Sequence, residues 1–195
     1  MNIVFTCGGT GGHIYPAIAV ARMFRERQPD CRILFIGAED GMEATLVPRE
    51  GFRLETLQIS SYMRSLKPSA IRHNVRAALS IRRALKKADR IIRDFQPDVI
   101  LGTGGYASYP MLHEGARLGI PTAVHESNAV PGLATKMVAD KVDRILVSFA
   151  DSRSAYRDPS RVIAVGMPVR EEFVFTRRAD ARRALGLDEK TPMIV

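Results

Sequence analysis

Apolar runs of strand length alternate with helical stripes along almost the whole chain. Asn2–Thr6 is a largely apolar run that reads as a buried strand, and Tyr15–Arg27 follows as a helix with Pro16 suited to its first turn. The same order recurs in strand Arg32–Ile36, which ends at Gly37, short helix Gly41–Arg49 and strand Phe52–Ile59. Ser60–Pro68 reads as a loop and Ser69–Phe95 as a long helix. Strand Val99–Leu101, helix Tyr109–Leu118, strand Thr122–Val124, helix Gly132–Ala139 and strand Arg144–Val147 complete the series. Strands that stay apolar, rather than alternating, belong in a parallel sheet covered on both faces. The pattern therefore predicts an α/β fold, a Rossmann-like doubly wound parallel sheet with right-handed crossovers.

The C-terminal stretch breaks this rhythm. Arg161–Gly166 is a further short strand, Asp180–Leu185 a helix that Gly186 is placed to end, and Pro192–Val195 the start of another strand. These segments predict a first domain over residues 1–162 and the opening of a second, truncated one over 163–195, with the boundary near Pro159–Val162.

Composition narrows the class. Of 195 residues, 46% are hydrophobic, enough for a real core, yet no apolar run reaches the ~18 residues of a membrane-spanning helix. Met1–Thr6 lacks the basic segment of a signal peptide, and glycines follow at once. Cys7 and Cys31 are the only cysteines, which suits a reducing cytosol and a role as small hydrophobes. The net charge of +8 sits on one segment: Arg64–Asp94 holds ten basic and two acidic residues, and the rest of the chain balances at nineteen of each. That segment could attract nucleic acid, anionic lipid or a phosphorylated substrate. It has no aromatic residue between Tyr62 and Phe95, which argues against stacking on bases. Along it, Ala77, Ile81, Ala84, Ala88, Ile91 or Ile92 and Phe95 form a stripe that should pack on the sheet. Ile71, Val75 and Leu79 lie on another face, flanked by Arg72, Arg76, Arg82 and Arg83. They read either as part of a solvated basic surface or as a small apolar patch, ringed by arginines, that docks on anionic lipid.

Parallel sheets bind ligands at the carboxyl ends of their strands, and three loops there are chemically unusual. Cys7-Gly8-Gly9-Thr10-Gly11-Gly12-His13 joins the first strand to the first helix, with four glycines able to take positive φ and bring backbone close to a ligand. The helix N-terminus behind it favours an anion. A dinucleotide fingerprint would need glycine where Ile14 stands, so NAD, with Glu39 or Asp40 on a ribose, is a minor option, and the lysine of a Walker A loop is missing. Gly102-Thr103-Gly104-Gly105-Tyr106-Ala107-Ser108 is the second loop. The third is His125-Glu126-Ser127-Asn128, polar residues after a buried strand, where they must be satisfied or used. For His125 the plain reading is a structural hydrogen bond.

These motifs, together with Gly41-Met42-Glu43-Ala44, Leu46-Val47-Pro48 and Gly166-Met167-Pro168-Val169-Arg170, occur in the same order in the MurG family of GT-B glycosyltransferases, and the chain resembles that family from residue 1 to about 195. Ser127 stands where the family commonly has glutamine, and Met167 where asparagine or threonine is common. The resemblance implies the N-terminal domain of a two-domain GT-B transferase on the cytoplasmic membrane face, peripheral rather than inserted. It implies inverting transfer of N-acetylglucosamine from UDP-N-acetylglucosamine to the C4 hydroxyl of an undecaprenyl-diphosphate-linked N-acetylmuramyl-pentapeptide. Thr10, Gly11, Gly12 and Asn128 would belong to the sugar-nucleotide site, and Arg170 would reach the donor from the hinge. Gly104 and Gly105 would help to shape the substrate cleft, while His13, Tyr106 and Glu126 would line its acceptor and catalytic side, with either His13 or Glu126 as the base. Histidine's ordinary pKa, about 6.5, suits that task. With helix N-termini stabilising the leaving group and no Asp-x-Asp pair, neither a protein-bound metal nor another cofactor is expected. Another GT-B UDP-sugar transferase, or a non-enzymatic phosphate- or nucleic-acid-binding module, are the alternatives.

Overall fold

A computed structural model describes residues 1–59, 68–188 and 192, and within the long third helix it describes the side chains of Ala77 and residues 80–95. Among the described residues seven strands form one parallel sheet: β1 (Asn2–Thr6), β2 (Arg32–Ala38), β3 (Arg53–Leu57), β4 (Val99–Gly102), β5 (Thr122–Glu126), β6 (Arg144–Val147) and β7 (Val162–Ala164). Their order is β3-β2-β1-β4-β5-β6-β7. Between them run α1 (Gly11–Arg27), α2 (Glu43–Arg49), α3 (Pro68–Phe95), α4 (Ser108–Arg117) and α5 (Leu133–Val138), and α6 (Glu171–Phe175) and α7 (Arg178–Ala184) follow.

The continuous apolar strands serve two cores. Val4, Leu34, Ile36, Ile100, Val124 and Ile145 point to one face, where α3, α4 and α5 lay down Ala84, Ala88, Ile92, Phe95, Leu112 and Val138. Ile3, Phe5 and Phe35 point to the other, against Ile14, Ala17, Ile18 and Ala21 of α1 and Val47 of α2. Each large side chain fully buried in this way contributes roughly 1.5–3 kcal/mol. The α3 stripe read from spacing is the packed face: Ala77, Ala84, Ala88, Ile91, Ile92 and Phe95 are buried, while Ile81 is half-buried at the edge of a cavity. The arginine-ringed patch around Ile71, Val75 and Leu79 lies outside the described side chains, as do the loop expected at Ser60–Pro68, apart from Pro68, and the strand expected at Pro192–Val195, apart from Pro192.

Three boundaries differ from the sequence reading in ways that matter for function. α1 starts at Gly11, not Tyr15, so Gly11, Gly12 and His13 form its first turn instead of a loop. Consequently Gly9 alone of the four glycines in this turn has positive φ, +92°. β5 continues through His125 and Glu126, because both find partners within the sheet edge. β7 pairs with β6 in the main sheet, so a division at 162/163 falls inside a strand. α6 went unread in the sequence: it is short, and its Phe173, Val174 and Phe175 are all exposed, so no apolar stripe marks it.

Candidate active site

The strand order reverses between β1 and β4: numbering climbs outward from β1 to β3 on one side and from β4 to β7 on the other. At such a switch point the loops diverge and leave a crevice. The loops after β1, β4 and β5 meet at this crevice, and two of them touch through backbone. A Cβ on Gly105 would run into the Gly8 carbonyl, and Gly105 has φ +81°. Glycine is required there both by space and by conformation.

His13 is held by the neighbouring loop. Its Nδ1 lies 3.0 Å from the carbonyl oxygen of Thr103, and the Thr103 hydroxyl donates back to the His13 carbonyl at 2.6 Å. A carbonyl only accepts, so Nδ1 carries a hydrogen, and in the neutral ring the lone pair is on Nε2. A Cβ on Gly104 would sit 2.7 Å from His13 Nδ1, which explains the glycine beneath the ring. Thr103, buried between two glycines, was not singled out from sequence, where nothing marks a backbone carbonyl as a partner.

The imidazole opens onto a cavity of about 270 Å³ whose walls include Gly105, Tyr106, Glu126, Asn128, Gly132 and Thr135. Ile59, Ile81, Tyr109, Leu133 and Met137 give it an apolar side that sequence reasoning also missed. This volume lies just under the ~300–1,000 Å³ of small-molecule sites, room for part of a substrate.

Glu126 is buried at the end of β5. One of its oxygens accepts from Asn128 N–H at 2.9 Å and from the Asn128 side-chain amide at 2.7 Å, and the other accepts from Gly132 N–H at 2.9 Å. Burial alone would raise its pKa, but hydrogen bonds from the Thr135 side chain, Asn128 and Gly132 outweigh it and hold the carboxyl below its usual range. The carboxylate thus shapes the 127–132 turn. His125, on the opposite face of β5, donates from Nε2 to the Gly166 carbonyl at 3.0 Å, the structural bond expected of it, and burial lowers its pKa.

The first turn of α1 offers a different chemistry. Thr10 is the N-cap, with extended backbone (φ −144°), yet its side chain makes no capping bond. The N–H groups of Gly11 and Gly12 find no partner among the described residues, and no acidic residue occupies that turn. They are free to meet an anion, which the helix dipole favours. Thr10 and Gly12 are exposed, whereas a Cβ on Gly11 would press the Tyr15 ring at 3.0 Å. Arg170 stacks on that ring and on Phe173, each at 4.8 Å. The structure therefore divides the ten residues expected at the site: His13, Gly105, Tyr106, Glu126 and Asn128 share the cavity, and Gly104 lies under His13. Thr10, Gly11 and Gly12 form the helix terminus beside the cavity, and Arg170 is one aromatic layer outside them. Among the described residues no three histidine, cysteine or acidic side chains gather as a metal site.

This sheet, with its switch-point crevice and open helix terminus, is the Rossmann-like half of a GT-B glycosyltransferase. The family model for the glycosyltransferase family 28 N-terminal domain matches residues 3–147, and the chain belongs to that family. It is 39% identical over its full length to the UDP-N-acetylglucosamine--N-acetylmuramyl-(pentapeptide) pyrophosphoryl-undecaprenol N-acetylglucosamine transferase of Acetivibrio thermocellus, and covers 52% of that protein. The enzyme of the same name from Caldanaerobacter subterraneus subsp. tengcongensis is also 39% identical, with 52% of it covered. Among solved structures, Acinetobacter baumannii MurG superposes with TM-score 0.70 and 26% identity over 88% of this chain and 46% of that one. A UDP-GlcNAc 2-epimerase from Methanocaldococcus jannaschii shares the fold at TM-score 0.62 and 11% identity, over 86% of this chain and 46% of that one. The chain spans about half the length of the curated relatives it matches.

Proposed function

We propose that this chain is the acceptor-side half of a transferase that moves N-acetylglucosamine from UDP-N-acetylglucosamine to the C4 hydroxyl of undecaprenyl-diphosphate-linked N-acetylmuramyl-pentapeptide, the step from lipid I to lipid II of peptidoglycan synthesis. The observation that carries the chemistry is His13, which lines the cavity and whose Nδ1 is bound by Thr103. The substrates are those after which its relatives are named.

In this reading His13 Nε2 takes the proton of the acceptor C4 hydroxyl. The oxygen attacks the anomeric carbon from the face opposite UDP, the bond from that carbon to the diphosphate oxygen breaks, and UDP leaves with inversion. Glu126 is saturated with donors and low in pKa, so it serves as the organiser of the turn that presents Asn128, and His13 is the base. Gly11 and Gly12, with Thr10, meet the donor diphosphate, where helix N–H groups stabilise developing charge without proton transfer. Arg170 lies at the start of a second, donor-binding domain. Tyr106 and the apolar walls hold the acceptor, and the enzyme works on the cytoplasmic membrane face. Among the described residues no helix is long and apolar enough to cross a membrane.

The test uses a form extended to the length of the relatives. His13→Ala is expected to lower kcat by roughly 10²–10⁴-fold with the KM for UDP-N-acetylglucosamine little changed. Loss confined to that KM would make His13 a binding residue and remove the base from the mechanism.

A further inference from the structure

Glu43 is a fully buried carboxylate that the reaction as described does not use. It opens α2, beside the glycine turn that follows β1. Its Oε1 accepts from Ala38 N–H at 2.6 Å, at the end of β2, and its Oε2 accepts from Gly9 N–H at 3.3 Å, in the turn itself. Three glycines make room for it: a Cβ on Gly37 or Gly41 would overlap the Glu43 side chain, and one on Gly8 would lie 2.6 Å from Oε1. A carboxylate has acceptors only, and a buried one is costly unless donors reach it. Here the donors come from two elements, and the side chain ties the turn to β2. Its charge is felt across the turn. Burial first and Glu43 second push the Cys7 thiol up, and burial, then Glu43 and Asp40, push the Tyr106 phenol up.

The N–H groups of the turn are therefore of two kinds. That of Gly9 is already bound to an internal anion, whereas those of Gly11 and Gly12 have no partner among the described residues. A phosphate brought to Gly8–Gly9 would meet a like charge at contact. We infer that Glu43 is a positioning residue: it fixes the first turn and closes its Gly8–Gly9 half to phosphate, so that the donor diphosphate seats on Gly11 and Gly12. The inference rests on the reading of Gly11 and Gly12 as part of the sugar-nucleotide site. Glu43 touches no substrate and acts through the backbone it holds.

The experiment compares wild type and Glu43→Gln, in the form extended to the relatives' length and labelled with [¹⁵N]glycine, titrated with inorganic diphosphate. In wild type the Gly11 and Gly12 amide signals are expected to shift while Gly9 stays still. Glutamine keeps the size but removes the charge and turns an amino group toward one of the two N–H donors, so in the variant Gly9 joins the responding set. Response of Gly9 in wild type, a wild-type pattern in the variant, or no response from any glycine of the turn overturns the inference. Transfer assays on the same proteins add a second readout. The variant's KM for UDP-N-acetylglucosamine should rise about tenfold with the acceptor KM unchanged. A mere prop for the fold would lower the amount of active enzyme and leave both KM values alone. If the glutamine variant does not fold, the wild-type titration decides alone: a Gly9 shift alongside those of Gly11 and Gly12 overturns the inference. If wild type transfers no sugar, the proposed function fails, and the glycine spectra still decide the role of Glu43.

Discussion

Gly12 lies in the first turn of α1, exposed, without positive φ, and the nearest atom to a Cβ built on it is Thr10 Oγ1 at 3.7 Å. Nothing in the protein's own packing asks for glycine there. Gly12→Ala is therefore expected to stabilise the folded chain by about 0.4–1 kcal/mol, because the unfolded state loses freedom and the native state accommodates the methyl group. The same change should weaken transfer if a phosphate approaches this backbone, and Gly12→Val should abolish it while circular dichroism is kept. A variant that is both more stable and fully active would dismiss close ligand approach at this residue. Gly105 makes the contrasting case. Its φ of +81° and the Gly8 carbonyl in the way of a Cβ mean that Gly105→Ala should cost roughly 2 kcal/mol or more, measured by denaturant unfolding. Sequence alone could not separate these two glycines: both stand in glycine pairs, and only the contacts distinguish a packing requirement from a ligand requirement.

The end of β5 and the turn to α5 behave as one element pinned by Glu126. Its native pKa is depressed below the unfolded value of about 4.3, so its stabilising contribution is complete above that pH and disappears as pH falls through the native pKa. Glu126→Gln should cost about 1–3 kcal/mol near neutrality, since one set of donors is left facing an amino group. The gap between variant and wild type should then shrink below about pH 4. Chemical unfolding followed across that range checks this, and a gap that persists undiminished into strong acid would mean the carboxylate is not what holds the turn. At this scale the sequence was a good guide to the sheet. Strand runs were legible because burial on both faces leaves them continuously apolar, and the α3 stripe because burial of one helix face leaves a periodic mark. The start of α1 was not, because Gly11 and Gly12 are poor helix formers and read as a loop until Thr10 is seen accepting from His13 N–H and Ile14 N–H. Nor were the partners at the site. Glu126 and Asn128 are near neighbours, but His13 and Thr103 lie 90 residues apart, and Glu43 is 34 from Gly9. No local pattern records such pairs.

For the whole molecule, the described part of α3 presents a mainly basic outer surface: Arg82, Arg83, Lys86, Lys87, Arg90 and Arg93 are all exposed, against Asp94. Near an anionic bilayer each contributes about 1 kcal/mol, an attraction that fades as salt rises. Co-sedimentation with anionic liposomes at low salt, release at high salt and no binding to neutral lipid are the expected results. Equal binding to both lipids, or to neither, would leave this helix as ordinary solvated surface. With about half the length of the curated relatives it matches, the chain is also expected to bind UDP-N-acetylglucosamine poorly by itself, because the proposed donor contacts it holds are only part of a site. Micromolar binding by calorimetry would contradict that division of labour. The backbone contact between Gly8 and Gly105, finally, has a consequence in time. The β1 and β4 turns can take their final shape only after two segments far apart in the chain have paired, and such closures are slow compared with helix formation. The histidine should acquire its orientation as one of the last events of folding, so a nascent chain that has emerged only as far as β3 would carry the glycine motif without the geometry that gives it meaning.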